Sequence, residues 1–349
     1  MDRRLFLKGA ALAGAGVGLG HLPGVAYSEF FGTAAALPDY RALVCVFLFG
    51  GNDSYNMVVP RSTAEYDVYA RSRQNLAVPR DQLLPITALN PDGAQYGLHP
   101  AMTGVQQLFA QGTCAVVANV GPLVQPVTRA AYLNGSVPLP PQLFSHNDQQ
   151  DQWQTLKGRA VVKTGWAGRI ADALQASAGD GKVPINVSLA GTVVQQAGER
   201  TVAYSMGRAN APEFTGLNAA NAVNAGRKAA FEQLLDGAGA GIHGRAFATV
   251  ERRAISTAAN VNAALARAPT IATAFPASGL GQQLAMVAKL IAVRNDLAVS
   301  RQVFFVSTGG YDTHDDQLED HPALLGDLRA SLKAFQDALV ELSVADKVV

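Results

Sequence analysis

Continuous apolar runs alternate along the chain with segments in which apolar residues recur every three or four positions. The runs at residues 43–49, 114–119, 183–189 and 303–306 predict strands buried on both faces, as in parallel sheets. The clearest helical stripe is the last, at Leu325, Leu328, Leu332, Phe335, Leu339 and Leu342. The pattern therefore predicts an α/β fold with a mostly parallel sheet sandwiched by helices.

Helical patterns lie between these runs. Residues 101–110 separate the first two runs, so the order strand, helix, strand predicts a parallel crossover unit. Residues 149–156 follow Ser145 and Asp148, which have the form of a helix capping box. A helix is therefore predicted to begin at that box.

The middle of the chain has helical spacing and little strand character. Residues 166–178 predict one helix. Residues 219–268, rich in Ala, Asn and Arg, predict two more, separated near residues 237–244. We expect this pair to form a cap or a helical insertion in the fold.

The composition describes a globular protein with ample apolar material for a core. The 349 residues are 48% hydrophobic and 16% charged, which suits one large α/β domain or two smaller ones. The formal net charge is +1, and Lys and Arg do not cluster beyond the first residues. We therefore expect no nucleic-acid partner, because such binding needs a basic field.

The first residues have the features of an export signal. Arg3 and Arg4 precede a Gly/Ala-rich apolar run at residues 9–22. This pattern predicts a twin-arginine signal peptide and linker over residues 1–36, recognised by the twin-arginine export machinery, and a domain over residues 37–349. The alternative is a first helix of the domain. The run is too short and glycine-rich for a stable membrane span, so we expect a periplasmic or extracellular protein.

The two cysteines, Cys45 and Cys114, each lie inside a predicted strand. A small buried thiol packs well there, which favours two core thiols. A disulfide between adjacent strands stays open as the alternative. The cysteines do not form a zinc pattern.

Two of the predicted strands end in the same short pattern. The strand at residues 43–49 is followed by Gly-Gly-Asn and Asp53, and the strand at residues 303–306 by a Gly-Gly-Tyr that leads to Asp312. Ligands in open α/β sheets lie beyond the carboxyl ends of the strands. The two aspartates are therefore predicted to meet at one candidate active centre.

Asp53, Asp312 and His314 form the strongest candidate constellation. Carboxylate oxygens and an imidazole together suit a borderline divalent metal ion, such as zinc, manganese or iron. The alternative is that the two aspartates cap the turns after their glycines. We expect a divalent metal ion, zinc, manganese or similar, as the cofactor.

Ser145 and His146 form a second candidate. Ser145 would be a nucleophile activated by a metal or a base, and the alternative is an ordinary helix cap. His146 would be a metal ligand or a substrate contact, and we expect both His146 and Asn52 to bind substrate. His99 is explained by a helix start or a structural hydrogen bond. His321 is expected to be solvated, and the alternative is that it lines the mouth of the site. The motifs of nucleotide-binding proteins, common serine hydrolases and zincins are missing from the sequence, which disfavours those classes.

With these motifs in this order, the chain resembles the DUF1501 family. These are uncharacterised proteins, many of them bacterial and exported by the twin-arginine route, that are grouped with the alkaline phosphatase and sulfatase superfamily. The matching motifs span nearly the whole chain, at residues 3–8 (RRLFLK), 47–53 (FLFGGND), 97–101 (GLHPA), 145–149 (SHNDQ), 165–169 (GWAGR) and 307–314 (STGGYDTH). Together they are far more specific than any single motif.

The resemblance implies an alkaline phosphatase-like fold, in which a parallel sheet carries two divalent ions at its carboxyl edge. It implies that Asp53 is a ligand of one ion and that Asp312 and His314 are ligands of the other. It also implies that Ser145 stands where the superfamily's nucleophile takes phosphoryl or sulfuryl groups. The sequence lacks the Cys/Ser-x-Pro-x-Arg signature of sulfatases, which argues against sulfate esters.

Family members continue after the last helix into another strand, a Ser-Asp/Glu-Phe-Gly-Arg-Thr stretch and an Asp-His-Gly stretch. This sequence stops at Val349, so we expect a chain truncated at its carboxyl end and inactive if ligands are missing. The expected function is an exported metal-dependent hydrolase that acts on a small-molecule or glycan ester of phosphate or a related acid. The alternative is a non-catalytic cell-envelope binding or assembly protein that retains the fold.

Overall fold

A computed structural model describes residues 39–88, 93–158, 162–178, 182–214, 216–217, 221–237 and 241–349. The predicted signal peptide and linker over residues 1–36 lie outside the described residues. Within the described part of the chain, no helix combines the length and apolar character that crossing a membrane requires.

Strands and helices are numbered along the chain. The strands are β1 (Arg41–Leu48), β2 (Val58–Pro60), β3 (Leu84–Ile86), β4 (Tyr96–Leu98), β5 (Asn186–Ser188), β6 (Tyr204–Ser205) and β7 (Arg301–Thr308). The helices are α1 (Thr63–Arg73), α2 (Thr103–Ala110), α3 (Arg129–Leu133), α4 (His146–Thr155), α5 (Trp166–Ala178), α6 (Ala222–Gly237), α7 (Ile242–Leu265), α8 (Gly279–Ala292) and α9 (Gln317–Glu341). The first element in the chain is the long strand β1, and the last two numbered elements are the long strand β7 and the helix α9.

A four-stranded parallel sheet forms the centre of the fold, in the order β1, β7, β5, β6. β1 and β7 pair along their whole length, with Leu48 opposite Thr308 at their carboxyl ends. Helices flank this sheet. The predicted α/β class with a parallel sheet is therefore confirmed.

β7 is buried along most of its length, but β1 is only half-buried. Residues 301–306 are all buried, whereas in β1 only Ala42 is. β1 lies at one end of the strand order, and residues 347–349 pair with its outer edge at Ala42 and Val44. The prediction of burial on both faces is thus correct for β7, which has a strand on each side, and wrong for β1, which lies at the end of the strand order.

The apolar run at residues 114–119 is not a strand. Its Val116 and Val117 are 42% and 78% exposed. A strand needs a neighbour for its backbone N–H and C=O groups, and none of the described strands pairs with this run. The predicted crossover unit is therefore wrong, and β1 pairs instead with β7 from the far end of the sequence.

Cys45 and Cys114 both carry free thiols and are partly buried. Burial raises the pKa of each thiol. A protonated thiol is a poor nucleophile, so burial lowers the reactivity of both side chains. The prediction of two packed thiols rather than a disulfide is confirmed.

The apolar stripes of the last two helices are buried as their spacing predicts, α8 against β7 and α9 against α8 and α2. α8 contacts both β7 and α9, and its Leu284, Val287 and Ile291 are completely buried. The predicted stripe of the last helix belongs to α9, where buried positions include Leu325, Leu328, Phe335 and Leu339. The predicted helix pair of the middle segment is also present, as α6 and α7.

A small antiparallel sheet of β2, β4 and β3 lies beside these elements. Its central strand, β4, runs directly into His99, which caps a short 3-10 turn at Pro100–Met102. α2 follows that turn. The expected helix start at His99 is confirmed.

Candidate metal centre

The two Gly-Gly segments lie side by side at the carboxyl ends of β1 and β7. The strand pairing continues past Leu48, because Phe49 N donates to Thr308 O at 2.9 Å. Tyr311 N then donates to Phe49 O at 3.2 Å. The two segments therefore meet, as their shared sequence pattern indicates.

Gly50 allows the close approach between the segments. Its φ is +111°, and a Cβ built on it would lie 2.6 Å from Asp312 N and 3.1 Å from Tyr311 N. Both the left-handed conformation and the lack of space favour glycine here. Gly50 thus fixes the position from which Asp312 is presented.

Asp312, His314 and His146 bring their side chains together. Asp312 Oδ1 lies 2.6 Å from His314 Nε2 and 3.7 Å from His146 Nε2. One ligand atom from each residue lies within 4.8 Å of the others, and all three residues are exposed. His146 is the first residue of α4. Its Cε1 lies 3.9 Å from the point that a Cβ added to Gly51 would occupy. The predicted pair of Asp312 and His314 therefore gains His146 as a third member.

The donor set of this group fits a divalent metal ion. Two imidazoles and one carboxylate are used by catalytic zinc and by non-haem iron, with positions left open for water or substrate. Ligand atoms that share an ion at about 2.1 Å lie roughly 3.4 Å from one another. The distance of 3.7 Å between His146 Nε2 and Asp312 Oδ1 is close to that value, whereas the distance of 2.6 Å between His314 Nε2 and Asp312 Oδ1 is shorter than it.

His314 also has an unusual backbone. Its φ is +36°, a left-handed value that non-glycine residues rarely adopt. Such conformations are maintained by their surroundings and recur at functional sites. The turn that holds His314 beside Asp312 therefore has a feature typical of a functional loop.

Asp53 has other partners. Its Oδ2 accepts hydrogen bonds from Arg73 and, at 2.9 Å, from Gln317 Nε2. The Asp53 side chain is 14% exposed, so this ion pair is largely shielded from water. Arg73 and Gln317 are 20 and 264 positions away in sequence, and no local pattern links them to Asp53. The ligand role inferred for Asp53 stays a prediction.

Asn52 is bonded within the fold on both sides of its amide. Its Oδ1 is 3.0 Å from His321 Nε2, and its Nδ2 donates to Met57 Sδ at 3.6 Å. His321 is only 2% exposed, so the expectation that it is solvated is wrong. His321 precedes Leu325 by four positions and therefore lies on the buried face of α9, a signal that the sequence does contain. The substrate contact expected of Asn52 stays a prediction.

Ser145 is the N-cap of α4. Its Oγ accepts a hydrogen bond from Asp148 N at 3.4 Å and donates one to Asp148 Oδ2 at 2.5 Å. The predicted helix cap is therefore confirmed. The same hydroxyl has a carboxylate within reach of its proton and lies next to His146 in sequence. The amino end of a helix also favours an anion at this place.

The fold and this group of side chains define an α/β protein with a candidate metal-binding site at the carboxyl ends of neighbouring parallel strands. The family model DUF1501, described as a protein of unknown function, matches residues 40–349. The chain therefore belongs to the DUF1501 family, and the resemblance drawn from its motifs is confirmed. No curated protein and no solved structure matches the chain significantly.

Proposed function

We propose that this protein is a metal-dependent hydrolase with an alkaline phosphatase-like fold. Its substrate would be a small-molecule or glycan ester of phosphate or a related acid. The observation that carries the proposal is the group of His146, Asp312 and His314 at the carboxyl ends of β1 and β7. Ligands bind at that edge in open α/β sheets, and the exposure of all three residues leaves them accessible to substrate.

His146, Asp312 and His314 would hold the ion. A divalent ion at this place supplies a positive charge that polarises the ester and stabilises the charge of the transition state. Asp312 orients the group, because its Oδ1 lies between the Nε2 atoms of the two histidines. Gly50 in turn holds the backbone of Asp312 in place.

Ser145 is the proposed nucleophile. Asp148 Oδ2 accepts the hydrogen bond of its hydroxyl and is placed to take the proton as Oγ attacks phosphorus. The new Oγ–P bond replaces the bond to the alcohol, which leaves with a proton. Water then attacks the phosphoserine, which releases phosphate and restores the hydroxyl. The amino end of α4 stabilises the negative charge of the phosphoryl group during both steps.

The ligand assignment predicts a loss of metal affinity in two variants. His314→Ala and Asp312→Asn should each weaken Zn²⁺ or Mn²⁺ binding by about a hundredfold. Loss of a residue that only supports a metal ligand lowers affinity by about ten- to a hundredfold, so loss of a ligand itself should reach the upper end of that range. Isothermal titration calorimetry of the metal-free protein measures this. His243→Ala, at an exposed histidine of α7, is the matched control and should bind as the wild type does. Wild-type affinity in both ligand variants would overturn the assignment.

The nucleophile is tested separately by Ser145→Gly. Glycine is tolerated at an N-cap with a loss of only a few tenths of a kcal/mol, so the variant should fold and bind metal. Turnover of 4-nitrophenyl phosphate should nevertheless be abolished. Thr128→Gly is the control, because Thr128 caps α3 through a bond from Ala131 N. Unchanged turnover in Ser145→Gly would remove Ser145 from the mechanism.

Export through the twin-arginine route is part of the proposal. Its support is the arginine pair, Arg3 and Arg4, ahead of the weakly apolar run at residues 9–22. A folded metalloprotein suits this route, because it can acquire its ion before it crosses the membrane. The proposed location is the periplasm or the extracellular space.

A non-catalytic cell-envelope binding or assembly protein is the second candidate. The observation in its favour is the exposure of apolar side chains near α4, where Phe144 is 86% exposed and Trp153 is 41% exposed. Exposed apolar surface marks interaction sites when it is extensive. Stoichiometric metal binding without hydrolysis of any phosphate ester would favour this candidate over the hydrolase.

A further inference from the structure

A cavity lies next to Asn52, whose side chain is bonded to His321 in the cavity lining. It has a volume of about 310 Å³ and is here called the histidine pocket, after His99 and His321 in its lining. Gly51 approaches His146 of the metal centre, and the next residue, Asn52, is bonded to His321. Adjacent residues of one loop therefore contact the two sites.

The lining of the histidine pocket is mainly apolar. Leu76, Val78, Pro79 and Leu318 are among its walls. A partly open apolar surface of this kind, with a few polar groups, suits a small organic molecule. The polar groups therefore decide which molecule fits.

Two of the polar side chains in the lining already have partners. Asn56 donates to Leu76 O at 2.8 Å and accepts from Tyr69 at 2.7 Å. Gln317 donates to Asp53 and contacts Thr313. Neither of these two amides is free to recognise a ligand, and the third amide of the lining, Gln82, is exposed to solvent.

The two histidines each have one ring nitrogen left over. His99 Nδ1 accepts from Ala101 N at 3.1 Å, so a neutral His99 carries its proton on Nε2. His321 Nε2 faces Asn52 Oδ1 at 3.0 Å, and the amide nitrogen of Asn52 faces Met57, so a neutral His321 has its lone pair on Nδ1. Among the described residues, His99 Nε2 and His321 Nδ1 have no hydrogen-bond partner.

These two nitrogens are complementary in their hydrogen bonding. The rings meet edge to face with their centroids 5.8 Å apart. His99 offers a donor, and His321 offers an acceptor. A hydroxyl group satisfies both, because its oxygen accepts one hydrogen bond while its proton is donated in another, with each bond about 2.8 Å long.

We propose that the histidine pocket binds a small, uncharged, mostly apolar molecule through one hydroxyl group, which accepts from His99 Nε2 and donates to His321 Nδ1. The site is separate from the metal centre and does not depend on its chemistry. Burial lowers the pKa of both histidines, which keeps the rings neutral at pH 7. Neutral rings match an uncharged ligand and give an anion no counter-charge.

Cyclohexanol is a suitable probe, since it combines one hydroxyl with an apolar body smaller than the pocket. The measurement is a titration of the intact chain, labelled with ¹⁵N-histidine, at pH 7.5. Cyclohexanol should move the resonances of His99 Nε2 and His321 Nδ1. Cyclohexanone accepts but cannot donate, so we expect it to bind about three- to tenfold more weakly. Cyclohexanecarboxylate should not bind measurably.

Two variants remove one hydrogen-bonding group each. His99→Asn keeps an acceptor for Ala101 N but has no donor at the position of the ring Nε2, and His321→Gln keeps a donor to Asn52 but has no acceptor at the position of the ring Nδ1. Each should bind cyclohexanol about three- to tenfold more weakly than the wild type. His243→Asn, at the exposed histidine of α7, is the control and should bind as the wild type does.

The proposal is overturned if cyclohexanol moves neither histidine, if cyclohexanone or the carboxylate binds as tightly, or if both variants retain wild-type affinity. Should a variant fail to fold, the comparison of the three ligands on the wild type still decides. Changes in metal binding or in ester hydrolysis do not enter these outcomes. A failure of the proposed hydrolase function is therefore distinguishable from a failure of this site.

Discussion

Gly50→Ala should lower the free energy of unfolding by about 3 kcal/mol or more, and metal affinity should fall with it. The added Cβ would lie 2.6 Å from Asp312 N, and the φ of +111° is unfavourable for alanine. The backbone groups it meets belong to the paired ends of β1 and β7, so they cannot move without breaking that pairing. The shift would displace Asp312 from His146 and His314.

Urea denaturation followed by circular dichroism measures the loss of stability, and calorimetry measures the loss of metal affinity. Gly112→Ala is the matched control, because its φ is +71° and a Cβ there meets nothing within 4 Å. That variant should lose only about 1 kcal/mol in the free energy of unfolding, the cost of a left-handed conformation at alanine, and should bind metal normally. Equal losses in the two variants would show that the contact with Asp312 is unimportant.

The sequence predicts this part of the fold well because its signals are local. A Gly-Gly pair after an apolar run indicates a tight turn at the end of a strand, and the pattern occurs after both β1 and β7. The helix at Trp166–Ala178 has the predicted limits for the same reason. Periodicity and turn chemistry are properties of a few neighbouring residues.

What the sequence does not contain is the choice of neighbours. The apolar run at residues 114–119 has the composition of a strand, but pairing depends on a partner edge that composition cannot specify. The half-burial of β1 has the same origin, since its place at the end of the strand order is not a property of its local sequence. Tertiary contacts override local propensity at both places.

The candidate site likewise contains contacts that the sequence predicts and contacts that it does not. Asp312 and His314 are two positions apart on one loop, so their meeting is predictable from the sequence. His146 joins them from a distant helix, and Arg73 pairs with Asp53 across the fold. Sequence alone therefore predicts contacts within one loop but cannot decide which distant side chains face each other.

The other large effect that we expect is acid destabilisation through His99. Its side chain is 8% exposed. Burial, with the neighbouring His321, lowers the pKa of His99 to about 4. The unfolded chain has the ordinary value of about 6.5. Between these values the unfolded state binds a proton that the folded state does not, so stability falls as the pH falls.

The magnitude follows from the same difference. A change of roughly 2.5 pKa units at about 1.4 kcal/mol each gives a loss of about 3 kcal/mol between pH 6.5 and pH 4. Burial lowers the pKa of His321 as well, while Asp53 acts against this shift and Arg73 adds to it. His321 should therefore lower stability in the same direction, in addition to the loss that His99 causes.

The test is to compare the pH dependence of the free energy of unfolding in the wild type and in His99→Asn. Asparagine can keep the bond to Ala101 N, but it does not titrate, so the contributions of the carboxylates cancel in the difference. We expect the wild type to lose about 3 kcal/mol more than the variant between pH 6.5 and pH 4. His243→Asn should follow the wild type, because His243 is exposed. Parallel curves for the wild type and His99→Asn would mean that the folded protein accommodates a charged His99.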